Sequence, residues 1–132
     1  MKTKLMPILA ACALALAGCV TNSQIQSRDA GPKPTQAQVE PQARVWFETT
    51  LKDPYSAHIE FLGIYKGWYS DGPFAGGIQT GWVAEYSVNA KNSFGGYTGY
   101  QTHYLFFRDG QFVREITLDR FAAQMAHVWD GN

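Results

Sequence analysis

The chain is predicted to fold as an α+β domain, an antiparallel sheet of about four strands flanked by an N-terminal and a C-terminal helix. Three observations predict it. Apolar residues between Ala43 and Leu51 recur at helical spacing. From His58 to Ile116 the pattern switches to segments rich in β-branched and aromatic residues, joined by connections too short for parallel crossovers. Beyond Ile116 a second apolar stripe returns at helical spacing.

Each element follows from its residues. Domain sequence begins near Val39, and Pro41 suits the first turn of a helix, where its missing N–H costs nothing. Ala43, Phe47, Thr50 and Leu51 share one face, which Val45 and Trp46 widen. Asp53-Pro54 ends this helix, because a residue before proline avoids the α region. Asp53 alternatively caps a short turn through Ser56. A first strand is expected over residues 58–65, then a loop over 70–77 containing Gly72, Pro73, Gly76 and Gly77. A second strand is expected over 79–89, with Trp82, Ala84, Tyr86 and Val88 on one face and Glu85, Ser87 and Asn89 on the other. A glycine-rich loop over 90–99 leads to a third strand over 100–107. Asp109-Gly110 is a two-residue hairpin signal and returns the chain into a fourth strand over 111–116. Thr117 or Asp119 would cap a last helix, with Leu118, Phe121, Ala122, Met125 and Val128 as its apolar stripe.

The bulk numbers restrict function. The 132 residues are 45% apolar and 14% aromatic, enough for one packed core. Net charge is zero and no block of like charge occurs, so no nucleic-acid partner is expected. The two cysteines, Cys12 and Cys19, lie at the start, which excludes a disulfide framework in the folded part.

That start carries the most specific signal. Lys2 and Lys4 precede an uncharged apolar run over 5–17, the layout of a secretory signal, and the run is too short to span a bilayer comfortably. Leu16-Ala17-Gly18-Cys19 then resembles the lipobox of bacterial lipoproteins at all four positions. The resemblance implies cleavage after Gly18 of a signal peptide (residues 1–18). It also implies a diacylglyceryl thioether on Cys19 and usually a further acyl chain, such as palmitate, on the new amino group. Two or three chains anchor far more firmly than one. By analogy with enteric-type lipoproteins, Val20, in place of an aspartate, points to the outer membrane, facing the periplasm. The inner-membrane periplasmic face and the cell surface are the alternatives. Cleavage removes Lys2 and Lys4 and leaves nine basic against eleven acidic side chains, so lipid rather than a polybasic patch must anchor the chain. Residues 19–38 are polar, with Gly31, Pro32 and Pro34, and read as a lipidated flexible tether spanning on the order of 25 Å. The folded domain is expected over residues 39–132.

Two further segments carry a resemblance. Asp53-Pro54-Tyr55-Ser56-Ala57 and Asn89-Ala90-Lys91-Asn92-Ser93-Phe94-Gly95-Gly96-Tyr97-Thr98-Gly99 resemble the DPxSA turn and NAKNSxGGYxG loop of a group of small bacterial exported proteins and lipoproteins. The likeness runs from about residue 43 to 107. It implies an envelope location and a domain boundary rather than a mechanism. Many members carry a Cys-Gly pair just before the loop; here Glu85 and Tyr86 stand there, so a thiol-based role does not carry over.

Candidate binding residues follow. Asn89, Lys91, Asn92, Ser93 and Tyr97 lie between glycines that let backbone N–H groups approach a small anion or sugar. It is not a P-loop, since no Gly-Lys-Ser/Thr follows. The plainer expectation is that Asn89 and Asn92 bond the local backbone. Among the dense aromatics, Trp68 and Tyr69, beside a Gly/Pro loop, are the expected exposed pair of a stacking surface. His58 and His103 fall on strands that could be neighbours, but no ligand spacing supports a metal. His127 is expected in the last turns of the final helix, where a cation suits the dipole. Glu60 and Glu85 could pair as carboxylates, yet no nucleophile elbow or triad is fixed by the sequence. The expectation is therefore a non-catalytic, membrane-anchored envelope module for a protein partner or peptidoglycan, with no metal and no cofactor beyond the Cys19 lipid. The alternatives are a small ligand-binding protein or hydrolase built on the 89–97 loop, and a phage-derived lipoprotein that modifies the host envelope.

Overall fold

A long antiparallel hairpin forms the spine of the structure, a computed structural model that describes residues 20–72, 74–118 and 125–129. Strand β1 (His58–Ser70) pairs with β2 (Ile78–Lys91) from His58 opposite Asn89 to Ser70 opposite Ile78. One irregularity, between Phe61 and Gly63, leaves Leu62 unpaired as a bulge. Strand β3 (Tyr97–Arg108) pairs with β2, and β4 (Gln111–Ile116) pairs with β3. Asp109 and Gly110 both take positive φ at the β3–β4 turn, as the hairpin signal requires. The strands are longer than the sequence pattern implies. β1 continues to Ser70, β2 to Lys91, and β3 starts at Tyr97, so the glycine-rich connection shrinks to residues 92–96. Aromatic and β-branched residues at the strand ends keep the ladder going past the glycines.

The fifth strand corrects the expected C-terminal helix. Residues Met125–Val128 form β5, antiparallel to β1, with Gly67 opposite Val128 and Ser70 opposite Met125. His127 therefore lies opposite Trp68 in a sheet, not at a helix end. The expected cap Asp119, and Phe121 and Ala122 of the stripe, lie outside the described residues. Helical spacing failed here because the outer edge of β1 offers backbone groups that a strand satisfies, and tertiary pairing overrides local propensity. The sheet order is β4-β3-β2-β1-β5, and the fold is α+β with a five-stranded antiparallel sheet.

Helix α2 (Gln36–Thr50) crosses one face. It starts before Pro41, which sits inside it, because Thr35 closes the N-terminus by donating its N–H to Gln38 Oε1 at 2.9 Å. The early turn drives Val39 into the core beside Ala43 and Phe47. These three pack on Ala84, Tyr86, Val88, Leu105 and Phe107 from β2 and β3. After α2, a single 3₁₀ turn (Pro54–Ser56) is capped by the Asp53 carboxylate, which accepts from the Ser56 N–H at 3.3 Å.

The opposite face holds a second cluster of Tyr69, Val83, Phe106 and Ile116, joined by Ala126 and Val128. Here the sheet curls. Arg114 on β4 ion-pairs with Asp71 at 2.7 Å and covers the Tyr69 ring at 5.1 Å, although β3 and β2 lie between β4 and β1. A flat sheet with strands about 4.8 Å apart would hold β4 and β1 about 14 Å apart. Gly81 makes the curl possible, since a Cβ there would lie 2.5 Å from both Phe106 Cζ and the Phe107 carbonyl oxygen.

Residues 20–35 overturn the expectation of a flexible linker. A short helix, α1 (Asn22–Gln26), buries Ile25 to 2% exposure. Ala30 and Pro34 are buried too. Composition hides this because the segment is held largely through its backbone: Lys66 donates to the Gln26 and Arg28 carbonyls, and Trp82 Nε1 donates to Gly31 O at 3.0 Å.

Candidate functional site

The described surface contains an open cleft of about 390 Å³ between α2 and the first half of β1. Helical spacing puts Glu40, Arg44 and Glu48 on one rim, one turn apart. Phe47, Phe61 and Tyr86 form the apolar floor, and Tyr55 and Ile59 close the other side. Phe47 meets Tyr86 edge-on at 5.5 Å, and Phe61 meets the same ring at 5.5 Å. Tyr86 is only 3% exposed, and its hydroxyl has no hydrogen-bond partner among the described residues. Burial, helped by the Glu40 carboxylate, pushes this phenol up to about 12. Tyr86 is thus a neutral donor throughout the physiological range, beside a cleft with a charged rim.

The polar groups of the 92–96 loop are engaged internally. Asn92 Oδ1 accepts from the N–H groups of Phe94 at 2.9 Å and Gly96 at 3.1 Å. Asn89 Oδ1 accepts from Gly99 N–H at 3.1 Å. Lys91 sits over the Tyr97 ring at 5.3 Å, and the Tyr97 hydroxyl donates to Ser56 O at 3.0 Å. Lys52 Nζ donates to Ser93 Oγ at 2.6 Å. Through Tyr97 the β3 end of the loop braces the Pro54–Ser56 turn, while Asn89 and Asn92 bond the local backbone as expected. Phe94 in the loop is 96% exposed, and Tyr97 and Tyr100 are exposed beside it.

Other candidates separate. Trp68 and Tyr69, expected at the surface, are buried at 6% and 9% exposure, and Tyr69 packs against Phe106 at 4.8 Å and under Arg114 at 5.1 Å. Exposed aromatics stand instead in the turn after β1, at Phe74, and at the other end of the sheet, at Tyr55, Phe94, Tyr97 and Tyr100. His58 on β1 and His103 on β3 are separated by β2 and stand opposite Asn89 and Tyr86, so they are not neighbours. Glu60 stands opposite Ser87 and Glu85 opposite Gly63, so the two are not directly opposed across the strands. Among the described residues, no three potential ligands gather to hold a metal, and no helix is long and apolar enough to cross a membrane. Cys19 lies outside the described residues. The Glu40, Arg44, Glu48 rim was missed in the sequence, although its four-residue spacing beside the Ala43, Phe47 stripe was the available signal.

Compared with known proteins, the chain matches no family model, no curated protein and no solved structure.

Proposed function

We propose that this protein is a lipid-anchored envelope lipoprotein whose α+β domain is a non-catalytic binding module. Cys19 carries the lipid, the outer membrane is the host surface, and the cleft between α2 and β1 takes a protein segment or a peptidoglycan strand. The single observation that carries the anchor is the four-position match at Leu16-Ala17-Gly18-Cys19. The cleft supports the binding role. Its apolar floor of Phe47 and Phe61 and its rim of Glu40, Arg44 and Glu48 offer both stacking and polar contacts to a partner. The internal bonding of Asn89 and Asn92 argues against a site built on the loop.

Metabolic labelling with a palmitate analogue, followed by membrane fractionation, tests the anchor. Label on the wild type but not on Cys19→Ser, in the outer-membrane fraction, is the expected result. Unlabelled, soluble protein would sink it. A photo-crosslinking residue in place of Tyr55 tests the module: a discrete adduct is expected there and none from position 113 on β4. Equal or absent crosslinking at both would reject the cleft as the partner site.

A further inference from the structure

Residues 20–35 connect the lipid to the domain, and in the structure they are fastened rather than free. We propose, resting on the lipid-anchor reading above, that this segment is a rigid strap. It holds the 71–77 end of the sheet beside the phospholipid surface and turns the end of the domain that carries Tyr55 and Phe94 away from it.

Chain geometry sets the leash. Only Val20 and Thr21 separate Cys19 from α1. A chain extends at most ~3.6 Å per residue, so the lipid-bearing residue lies within about 11 Å of Asn22. Helix α1 cannot move away on its own. Thr21 caps it, Ile25 is buried under it, and Lys66 on β1 holds the Gln26 and Arg28 carbonyls. Arg108 on β3 donates to Asp29 O at 2.8 Å and Trp82 on β2 to Gly31 O at 3.0 Å, while the Lys33 ammonium sits 5.4 Å over the Trp82 ring. The fastening thus spans three strands.

Every one of those partners lies in the half of the sheet that ends in the 71–77 and 109–110 turns. At about 3.3 Å per residue, Ser70 is roughly 13 Å along β1 from Lys66, whereas His58 is roughly 26 Å away in the other direction. Phe74, wholly exposed, stands in the turn nearer the strap. Phe94, almost as exposed, stands in the 92–96 turn at the far end of the sheet. A flexible twenty-residue tether would let either end meet the membrane. A strap permits one.

The test uses the chain beginning at Cys19, which contains every described residue and has Cys19 as its one thiol. Coupling Cys19 to a maleimide lipid, in vesicles of phosphatidylethanolamine and phosphatidylglycerol, fixes the anchor chemically, so the outcome does not depend on lipidation in cells. A fluorescent non-natural residue replaces Phe74 or Phe94, both exposed, and a nitroxide on lipid headgroups quenches it. Several-fold stronger quenching at 74 than at 94 is expected. Equal quenching, or stronger quenching at 94, overturns the proposal. In Ile25→Ser/Lys66→Met, which loosens the strap, the difference should collapse. Persistence of the full difference in that variant would show that the strap does not set the orientation.

Discussion

His103 on β3 and Glu115 on β4 meet at 2.5 Å, Nδ1 to Oε1, and the same carboxylate accepts from Trp46 Nε1 of α2 at 3.0 Å through its other oxygen. One acidic side chain thus ties the helix to two strands. Phe47 stacks edge-on to His103 at 5.5 Å on the same face, so the polar tie sits at the margin of the main core.

Stability should fall in acid through Glu115. Burial pushes its carboxyl up, but the hydrogen bond and charge of His103 and the Trp46 hydrogen bond outweigh it, and the net position is below the usual 4.5. A lowered folded value makes the contribution complete above the unfolded value and lost as pH falls through the folded one. Glu115→Gln should cost about 1–2 kcal/mol at pH 7 and flatten the loss below pH 4.5. Urea midpoints at neutral and acid pH would show it, and an unchanged acid limb would disprove the role.

Tyr86 should act at the opposite limit. Its phenol ionises at 10.0 when unfolded and is pushed up to about 12 in the fold, so its contribution is complete below 10.0 and lost as pH rises toward 12. Tyr86→Phe removes a buried hydroxyl that has no described partner, so stability at pH 7 should stay level or rise. Absorbance titration should show one phenol ionising only at about 12 in the wild type and lose it in the variant. A marked loss of stability at pH 7 would mean that the hydroxyl is bonded after all.

The core face was legible and its partner was not. Ala84, Tyr86 and Val88 were placed on one face by alternation alone, and Ala43 and Phe47 by helical spacing, and these residues do meet. The Asp53 cap and the Asp109-Gly110 turn were equally readable, because each depends on a few adjacent residues. What failed depends on distant backbone. Met125–Val128 chose a strand because β1 had an open edge, and Tyr69 is buried under Phe106 and Arg114 from strands β3 and β4. The strap around Ile25 is held by Lys66, Trp82 and Arg108, far away in sequence. The cleft rim was visible as spacing, but its meaning needed the position of β1.

Loop substitutions should register as stability, not as lost ligand binding. Asn92→Ala removes acceptors for two backbone N–H groups and Asn89→Ala removes one. Each should cost about 1 kcal/mol and lower the melting temperature. Lys91→Ala, which gives up only an exposed ring contact, should be close to neutral. Melting curves that leave both asparagine variants at the wild-type temperature would return the loop to the list of ligand sites.

The two cores should be separable by mutation. Phe47 is 1% exposed on the α2 face and Phe106 is 1% exposed on the curled face, where it meets Tyr69 at 4.8 Å. Either truncation to alanine should cost about 3–5 kcal/mol, since a large aromatic leaves a cavity that its neighbours fill only in part. Their consequences differ. Phe47→Ala opens the floor of the cleft, so it should also remove the crosslink from position 55. Phe106→Ala, milder as Phe106→Leu if the alanine variant is unfolded, should keep that crosslink in the molecules that remain folded. Urea denaturation read beside crosslinking yield separates the outcomes. Equal loss of crosslinking per folded molecule in both variants would mean that the cleft has no special part in partner binding.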